Sequence, residues 1–452
     1  MEFLWNLASF VVALGILVTI HEYGHFWVAR KLGVKVLTFS IGFGKPILQK
    51  IGKDGVRYVI AAIPLGGFVK MLDERDSEQT ISEQDQSRAF NRQSVWARMA
   101  IVLAGPVANF LLAIFLYWLM FVIGIKGLVP QIGSVPETSI AYQAGLKKED
   151  VISLVDGEPV IVMQDVTKAI AQRLGEKSEI VLSVTRVGEP TLQKIFLDIS
   201  TWQVDDSEPE LLKSLGIYHP LETLEAIIGS LTADGAAEIA GLQIQDKIIK
   251  IDGKVINQWQ DMREIIASKP NQRVLFEVDR NGELMPIFVV IGSANEKDKQ
   301  IGVIGIGNTQ IDVSNYLITR QAGMLEAFGL AIDEMVKMVV LSTKLFLKLI
   351  SGEISTKSLS GPISIAEGAG STASIGLVYF ISFLAMISVN LGFINLLPVP
   401  MLDGGHLLYF VIEAIKGKPL SEKVQEFGLQ IGMMLVFALM ALAIFNDISR
   451  NF

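Results

Sequence analysis

Five consecutive residues, His21-Glu22-Tyr23-Gly24-His25, set two metal-binding imidazoles around a carboxylate. On an α-helix, residues four apart lie on one face a turn apart, so both rings can reach one ion. Glu22 is rotated by about 100° from His21, where its carboxylate can reach a water held by that ion. Zinc suits such a pair. It keeps three protein ligands and an open position, and it lowers the pKa of its water to about 7. The chemistry expected is hydrolysis, with Glu22 as general base and then as proton donor to a leaving amine.

Two ligands are not enough, and the choice of a third is narrow. The chain has four histidines (His21, His25, His219, His406) and no cysteine, which excludes disulfides and thiolate sites. Asp403 ends a long uncharged stretch, follows Pro398 and Pro400, and precedes Gly404-Gly405, where backbone can approach closely. A lone carboxylate in such surroundings needs a cation. His406 is the rival ligand. A Glu shortly after His25 is not available, because no acid follows until Asp54. One zinc ion held by His21, His25 and Asp403 is the expectation.

The elements that must position these residues are membrane segments. Half of the 452 residues are hydrophobic, 19% are charged and the net charge is -8, which suggests a membrane protein with soluble parts and argues against nucleic-acid binding. Phe3–Ile20 carries no charge over 18 residues, long enough for roughly 27 Å of helix. It lacks the basic start and small-residue cleavage site of a signal peptide, so a retained first span over 1–30 is expected. Uncharged runs at Met99–Ile125, within Gly368–Leu402 and at Phe427–Asn446 give three more spans, at 99–125, 371–412 and 427–446. Pro398-Val399-Pro400 should end the third helix near Leu396.

Residues 31–98 form a different region. Twelve Lys and Arg stand against seven acids from Arg30 to Arg98, which favours the cytoplasmic side. Ser40–Lys45 and Arg57–Met71 read as strands, and the run Tyr58–Val69 is apolar but broken by Pro64 and Gly66-Gly67. A re-entrant sheet dipping towards the bilayer fits, since backbone at that depth must be paired; a cytoplasmic hairpin is the alternative. Asp73–Gln93 reads as a polar surface linker. Residues 310–370 hold an amphipathic helix at Gly323–Ile350, lying on the membrane surface or against the bundle, or serving as a core helix.

An internal repeat fills 127–309. Ala144-Gly145-Leu146, Asp150, Ile152 and Asp156-Gly157 recur 96 residues later as Ala240-Gly241-Leu242, Asp246, Ile248 and Asp252-Gly253. The pattern resembles PDZ domains, at 127–220 and 221–309: a short helix ending at Gly, a strand, then an Asp-Gly turn. Such modules bind extended peptides by strand addition, or serve as spacers that bind nothing. The fold expected is a multi-pass α-helical membrane protein with four transmembrane helices, a membrane-associated β-hairpin or sheet, and two inserted α+β PDZ domains. Basic loops after spans one and three place both termini and the repeats on the opposite side.

Three motifs carry a family resemblance: His21-Glu22-Tyr23-Gly24-His25, Gly105-Pro106-Val107-Ala108-Asn109, and Asn395 to Gly404, the last reading Asn-Leu-Leu-Pro-Val-Pro-Met-Leu-Asp-Gly. Together they resemble the site-2 proteases, the M50-type intramembrane zinc metalloproteases. The tandem repeat resembles the bacterial branch that regulates sigma-E. The resemblance implies zinc-dependent cleavage of single-span membrane proteins in the bacterial inner membrane. It implies as substrates an anti-sigma factor already trimmed outside and remnant signal peptides, with the PDZ pair and both termini periplasmic and the zinc towards the cytoplasm. Tyr58–Val69, including Gly66 and Gly67, could pair with unwound substrate. Asn390 and Asn395 could hold substrate backbone or an oxyanion, or make interhelical hydrogen bonds. Asn109 and Pro398 join the residues expected on the substrate side. The alternatives are a membrane-anchored PDZ scaffold with a non-catalytic metal site, for which Glu22 has no use, and a transporter, which should show inverted repeats among its spans.

Overall fold

Apolar residues of the first 31 positions fold as one helix, α1 (Glu2–Lys31), whose two faces differ. Ser9, Ala13, Leu17, His21, Gly24 and His25 are buried at helical spacing, while Phe3, Leu4, Leu7, Val11, Val12 and Ile16 face outwards. An outward face of that kind suits lipid. The computed structural model describes residues 2–75, 85–204, 210–222, 225–296, 299–308 and 313–451. The chain divides into two units, 1–125 with 206–208 and 319–452, and 126–205 with 209–318.

In the first unit, α1 is followed by strands β1 (Val36–Ile51) and β2 (Arg57–Met71). Both bend, so each pairs twice. Phe39 faces Val69 on one side and Tyr58 on the other, while Leu48 pairs with Ile60. The result is a sheet of four segments in the spatial order 46–51, 57–63, 36–43, 67–71. Strand β2 keeps the expected bounds, while β1 extends beyond the expected 40–45 at both ends. Phe26 of α1 stacks edge-on against Phe39 and Tyr58, and Arg30 and Tyr58 both donate to Oδ2 of Asp54, at 2.6 and 3.0 Å. These contacts fasten the sheet to the end of α1. Of the expected linker Asp73–Gln93, residues 76–84 lie outside the described residues, and two short 3-10 turns occupy 86–88 and 90–92.

Helix α2 (Val95–Ile123) starts at Ser94, whose side chain accepts from the Ala97 amide at 3.2 Å. It continues through Pro106, and Ile101, Gly105, Pro106 and Asn109 are all buried. Helix α3 (Met324–Ser351) is the amphipathic segment. It lies against the bundle: Ala327, Ala331, Glu334 and Met338 are buried, and Ser342 donates to Oδ1 of Asn390 at 2.7 Å.

The expected third span of 371–412 divides into separate helices, although its apolar helix ends at Leu396 as the prolines predict. Residues 371–375 belong to a separate helix, α4 (Pro362–Ile375), which stops at Gly376 with φ +148°. Helix α5 (Leu377–Leu396) is the apolar helix, and Asp403 opens another, α6 (Asp403–Lys416), after an irregular stretch at 397–402. Helix α7 (Glu422–Asn451) closes the chain and exceeds the expected 427–446 at both ends. Helices α1, α2, α5 and α7 are long and apolar enough to cross a membrane.

The second unit carries the repeat. Strands Glu158–Pro159, Val151–Val155, Glu179–Arg186 and Glu189–Asp198 form one antiparallel sheet. Lys254–Val255, Lys247–Ile251, Arg273–Arg280 and Glu283–Val290 form the other, in the same order. Helices Met163–Ala171 and Trp259–Ala267 occupy equivalent positions. Each unit turns at its Asp-Gly pair with both residues at positive φ, the turn that matches strand twist. Each also locks a buried Asp with an Arg: Arg186 grips Asp150 through two 2.8 Å bonds, and Arg280 grips Asp246 through two of 2.7 Å. The unit runs to Ile318, beyond the boundary expected at 309.

Candidate metal centre

The site is built where α1, α2 and the start of α6 meet. Small residues make the approach possible. A Cβ at Gly24 would lie 2.8 Å from the carbonyl carbon of Ala104, and one at Gly105 would overlap the His25 ring and lie 2.8 Å from Cε1 of His21. Both helices are therefore glycine where they touch, and the two imidazoles fill the space left.

His21 and His25 are each 9% exposed. Their Nε2 atoms stand 3.3 Å apart. Asp403 completes the group: Oδ2 lies 3.2 Å from Nε2 of His21, and Oδ1 lies 3.5 Å from Nε2 of His25. A tetrahedral zinc with arms of roughly 2.0–2.1 Å has edges of about 3.3–3.4 Å. The two imidazole nitrogens already have the spacing of one edge of that tetrahedron, each faces an oxygen of the same carboxylate, and one ligand atom from each of the three residues lies within 4.8 Å of the others. Asp403 Oδ2 is buried and takes no hydrogen bond from the described residues, as a ligand oxygen should be free to do. The donor set fits zinc.

The protein also fixes how the rings point. Nδ1 of His25 lies 2.8 Å from the carbonyl of Ile101. A carbonyl can only accept, so Nδ1 carries the proton and Nε2 keeps a lone pair for a cation.

Asp403 is held by its surroundings. A Cβ at Gly404 would overlap the carbonyls of Leu396 and Leu397, and one at Gly405 would lie 2.7 Å from Cα of Pro400. The backbone at 396–400, where α5 ends, therefore folds over the first turn of α6. Met401 is driven to φ +99°, a region that costs a non-glycine residue strain. At the far end of α6, Arg98 of α2 grips Glu413 through bonds of 2.6 and 3.1 Å, and its guanidinium lies over Phe410. The helix that bears Asp403 is thereby tied to the helix behind the two histidines.

Glu22 is half-buried, and its charge is felt by His25, His21 and Asp403. The sheet reaches it directly: a Cβ at Gly67 would lie 2.8 Å from Cγ of Glu22 and 2.7 Å from the carbonyl oxygen of Ser40. Gly66 sits at φ +148° beneath the Phe43 ring. The 67–71 segment pairs with 36–41 and is the last in the spatial order of the four segments.

The remaining candidates separate clearly. His406 is exposed and lies outside the donor group, and His219 serves the second unit, meeting the carbonyl of Val129 at 3.1 Å and the amide of Leu221 at 3.2 Å. Asn390 makes the interhelical bond to Ser342. Asn395 is half-buried in the last turn of α5, and Pro398 is exposed in the stretch between α5 and α6. Asn109, expected on the substrate side, is fully buried and its amide faces Nδ1 of His21 at 3.1 Å. The supporting roles of Ile101 and Gly105 escaped sequence reasoning. The only signal was a small residue and a proline in an otherwise bulky span.

The chain was compared with known proteins. The model of peptidase family M50 matches residues 9–439. The regulator of sigma-E protease RseP of Escherichia coli K12 is 43% identical over 451 residues, covering all of both chains. A Vibrio cholerae protein described as a zinc metalloprotease is 43% identical over 451 residues and 99% of each chain. The regulator of sigma E protease of Haemophilus influenzae is 40% identical over 450 residues, again covering both chains fully.

Proposed function

The chain belongs to peptidase family M50 as a zinc metalloprotease, and from that premise we propose that it is an intramembrane endopeptidase acting on single-span membrane proteins. The observation that carries the reading is the cluster of His21, His25 and Asp403, with ligand atoms within 4.8 Å of one another, on and beside an apolar helix that also bears Glu22.

His21, His25 and Asp403 would hold one zinc. When bound, it supplies a Lewis acid and makes water acidic enough to be deprotonated near neutral pH. Glu22 takes the proton from the attacking water and passes one to the leaving amine. Glycine at 67 lets the sheet edge come beside that carboxylate.

A helical substrate hides its peptide bonds in its own hydrogen bonds and must unwind to be cut. Unwound backbone in an apolar setting needs partners. The sheet edge at 67–69, beside Glu22, would offer them by strand addition. Asn395, in the last turn of α5, would bind substrate backbone or the oxyanion.

The repeats are two PDZ domains. Their recurrent topology supports this, and so does a second correspondence. Leu215-Gly216-Ile217 matches Ile304-Gly305-Ile306, where the Leu215 and Ile304 carbonyls accept from Ala141 and Ala237, and both glycines have positive φ. They screen substrates outside the membrane, by size or by peptide binding. Basic loops place the repeats and both termini in the periplasm, with the zinc towards the cytoplasmic half. The names of the relatives point to regulation of sigma E, and the substrates in this reading are a trimmed anti-sigma factor and remnant signal peptides.

The test is purified protein in liposomes with a single-span anti-sigma segment, with and without chelator. Cleavage that chelator abolishes and zinc restores supports the reading. Cleavage by Glu22→Gln at the native rate would refute it.

A further inference from the structure

Helix α2 gives no ligand to the centre, yet it stands behind both histidines. Ile101 does so for His25 with a backbone carbonyl. For His21 the partner is the Asn109 side chain, 3.1 Å from Nδ1. Asn109 is fully buried. As placed, its Nδ2 faces the ring and its Oδ1 is without a hydrogen-bond partner.

An amide has nearly the same shape in its two orientations, so the pocket accepts either. The two differ in chemistry. Nδ2 facing the ring donates to an unprotonated Nδ1, and the ring proton must then sit on Nε2, where it blocks a cation. Oδ1 facing the ring accepts from Nδ1–H and leaves the Nε2 lone pair free. Only the second arrangement is compatible with His21 as a ligand.

Asn109 is also fixed from the other side. Ser388 of α5, fully buried, donates to the Asn109 backbone carbonyl at 2.8 Å. One α2 residue thus touches the helix carrying His21 and the helix leading to Asp403.

We propose that Asn109 is a positioning residue of the zinc centre, presenting its amide oxygen to Nδ1–H of His21 as the Ile101 carbonyl does for His25, and that it does not bind substrate. This rests on the reading of His21, His25 and Asp403 as a zinc site.

The experiment measures zinc affinity of the full-length protein in detergent, by competition with a chelating dye, for the native chain, Asn109→Ala, Asn109→Asp and Ser388→Ala. Loss of the acceptor in Asn109→Ala weakens zinc by about 10–100-fold. Asn109→Asp, which can only accept, holds zinc at least as tightly as the native chain. Ser388→Ala disturbs the packing around Asn109 but leaves its amide, and stays within about threefold of native affinity, well short of the loss expected for a ligand-orienting partner. Once saturated with zinc, Asn109→Ala has the native KM. Native affinity in Asn109→Ala, equal loss in the Ala and Asp variants, or equal loss in Ser388→Ala overturns the proposal. A native chain that binds no zinc overturns instead the reading on which it rests. Should Asn109→Ala fail to fold, Asn109→Asp alone decides: weaker zinc than native refutes the assignment.

Discussion

Nε2 of His21 lies 3.2 Å from Oδ2 of Asp403, which joins the first apolar helix to the turn after the third. Neither residue is near the other in sequence, and the contact closes the candidate metal site. Asp403→Asn should therefore lose zinc although His21 and His25 remain. Metal analysis of the purified variant checks this, and native zinc content would move the third ligand elsewhere.

Glu22 follows His21 directly on α1 and is not one of the three clustered donors. Glu22→Gln should retain zinc and lose cleavage by at least about 10²-fold, the lower range for a general acid–base group. Parallel metal and rate measurements separate the roles. Loss of zinc in this variant would make Glu22 a ligand.

Gly105 sets local preference against tertiary packing. Alanine there favours helix by up to about 1 kcal/mol, but its Cβ would overlap the His25 ring. Gly105→Ala should weaken zinc binding without unfolding the chain. Unchanged zinc affinity would show that the rings can shift without consequence.

Gly67 places the sheet edge against Glu22. A Cβ there would lie 2.8 Å from Cγ of Glu22 and 2.9 Å from Cγ1 of Val18. Gly67→Val should keep zinc and lower cleavage by about tenfold or more, as displaced catalytic geometry does. A native rate would mean that the sheet edge has no part in the reaction.

Arg186 and Arg280 neutralise carboxylates that are 0% and 1% exposed, Asp150 and Asp246. Removing one partner leaves a buried charge, at a cost of about 3 kcal/mol. Arg186→Ala and Arg280→Ala should each make one repeat susceptible to limited proteolysis while zinc content stays native. Unaltered protease resistance would show that water reaches these carboxylates once the arginine is gone.

Local rules were enough for much of this chain. The 3.6-residue period puts His21 and His25 on one face, uncharged runs of sufficient length make α1, α2, α5 and α7, and the Asp-Gly turns recur at a fixed offset. Asp403 was legible because a lone carboxylate in apolar sequence calls for a cation. What the sequence leaves open depends on contact between distant segments. No local pattern brings Asn109 and Ile101 behind the histidine rings, forces glycine at 105 and 67, folds two bent strands into four segments, or separates α4 from α5 at Gly376. Those features follow from how closely one backbone can approach another. Tertiary packing decides that distance, and residue type only permits it.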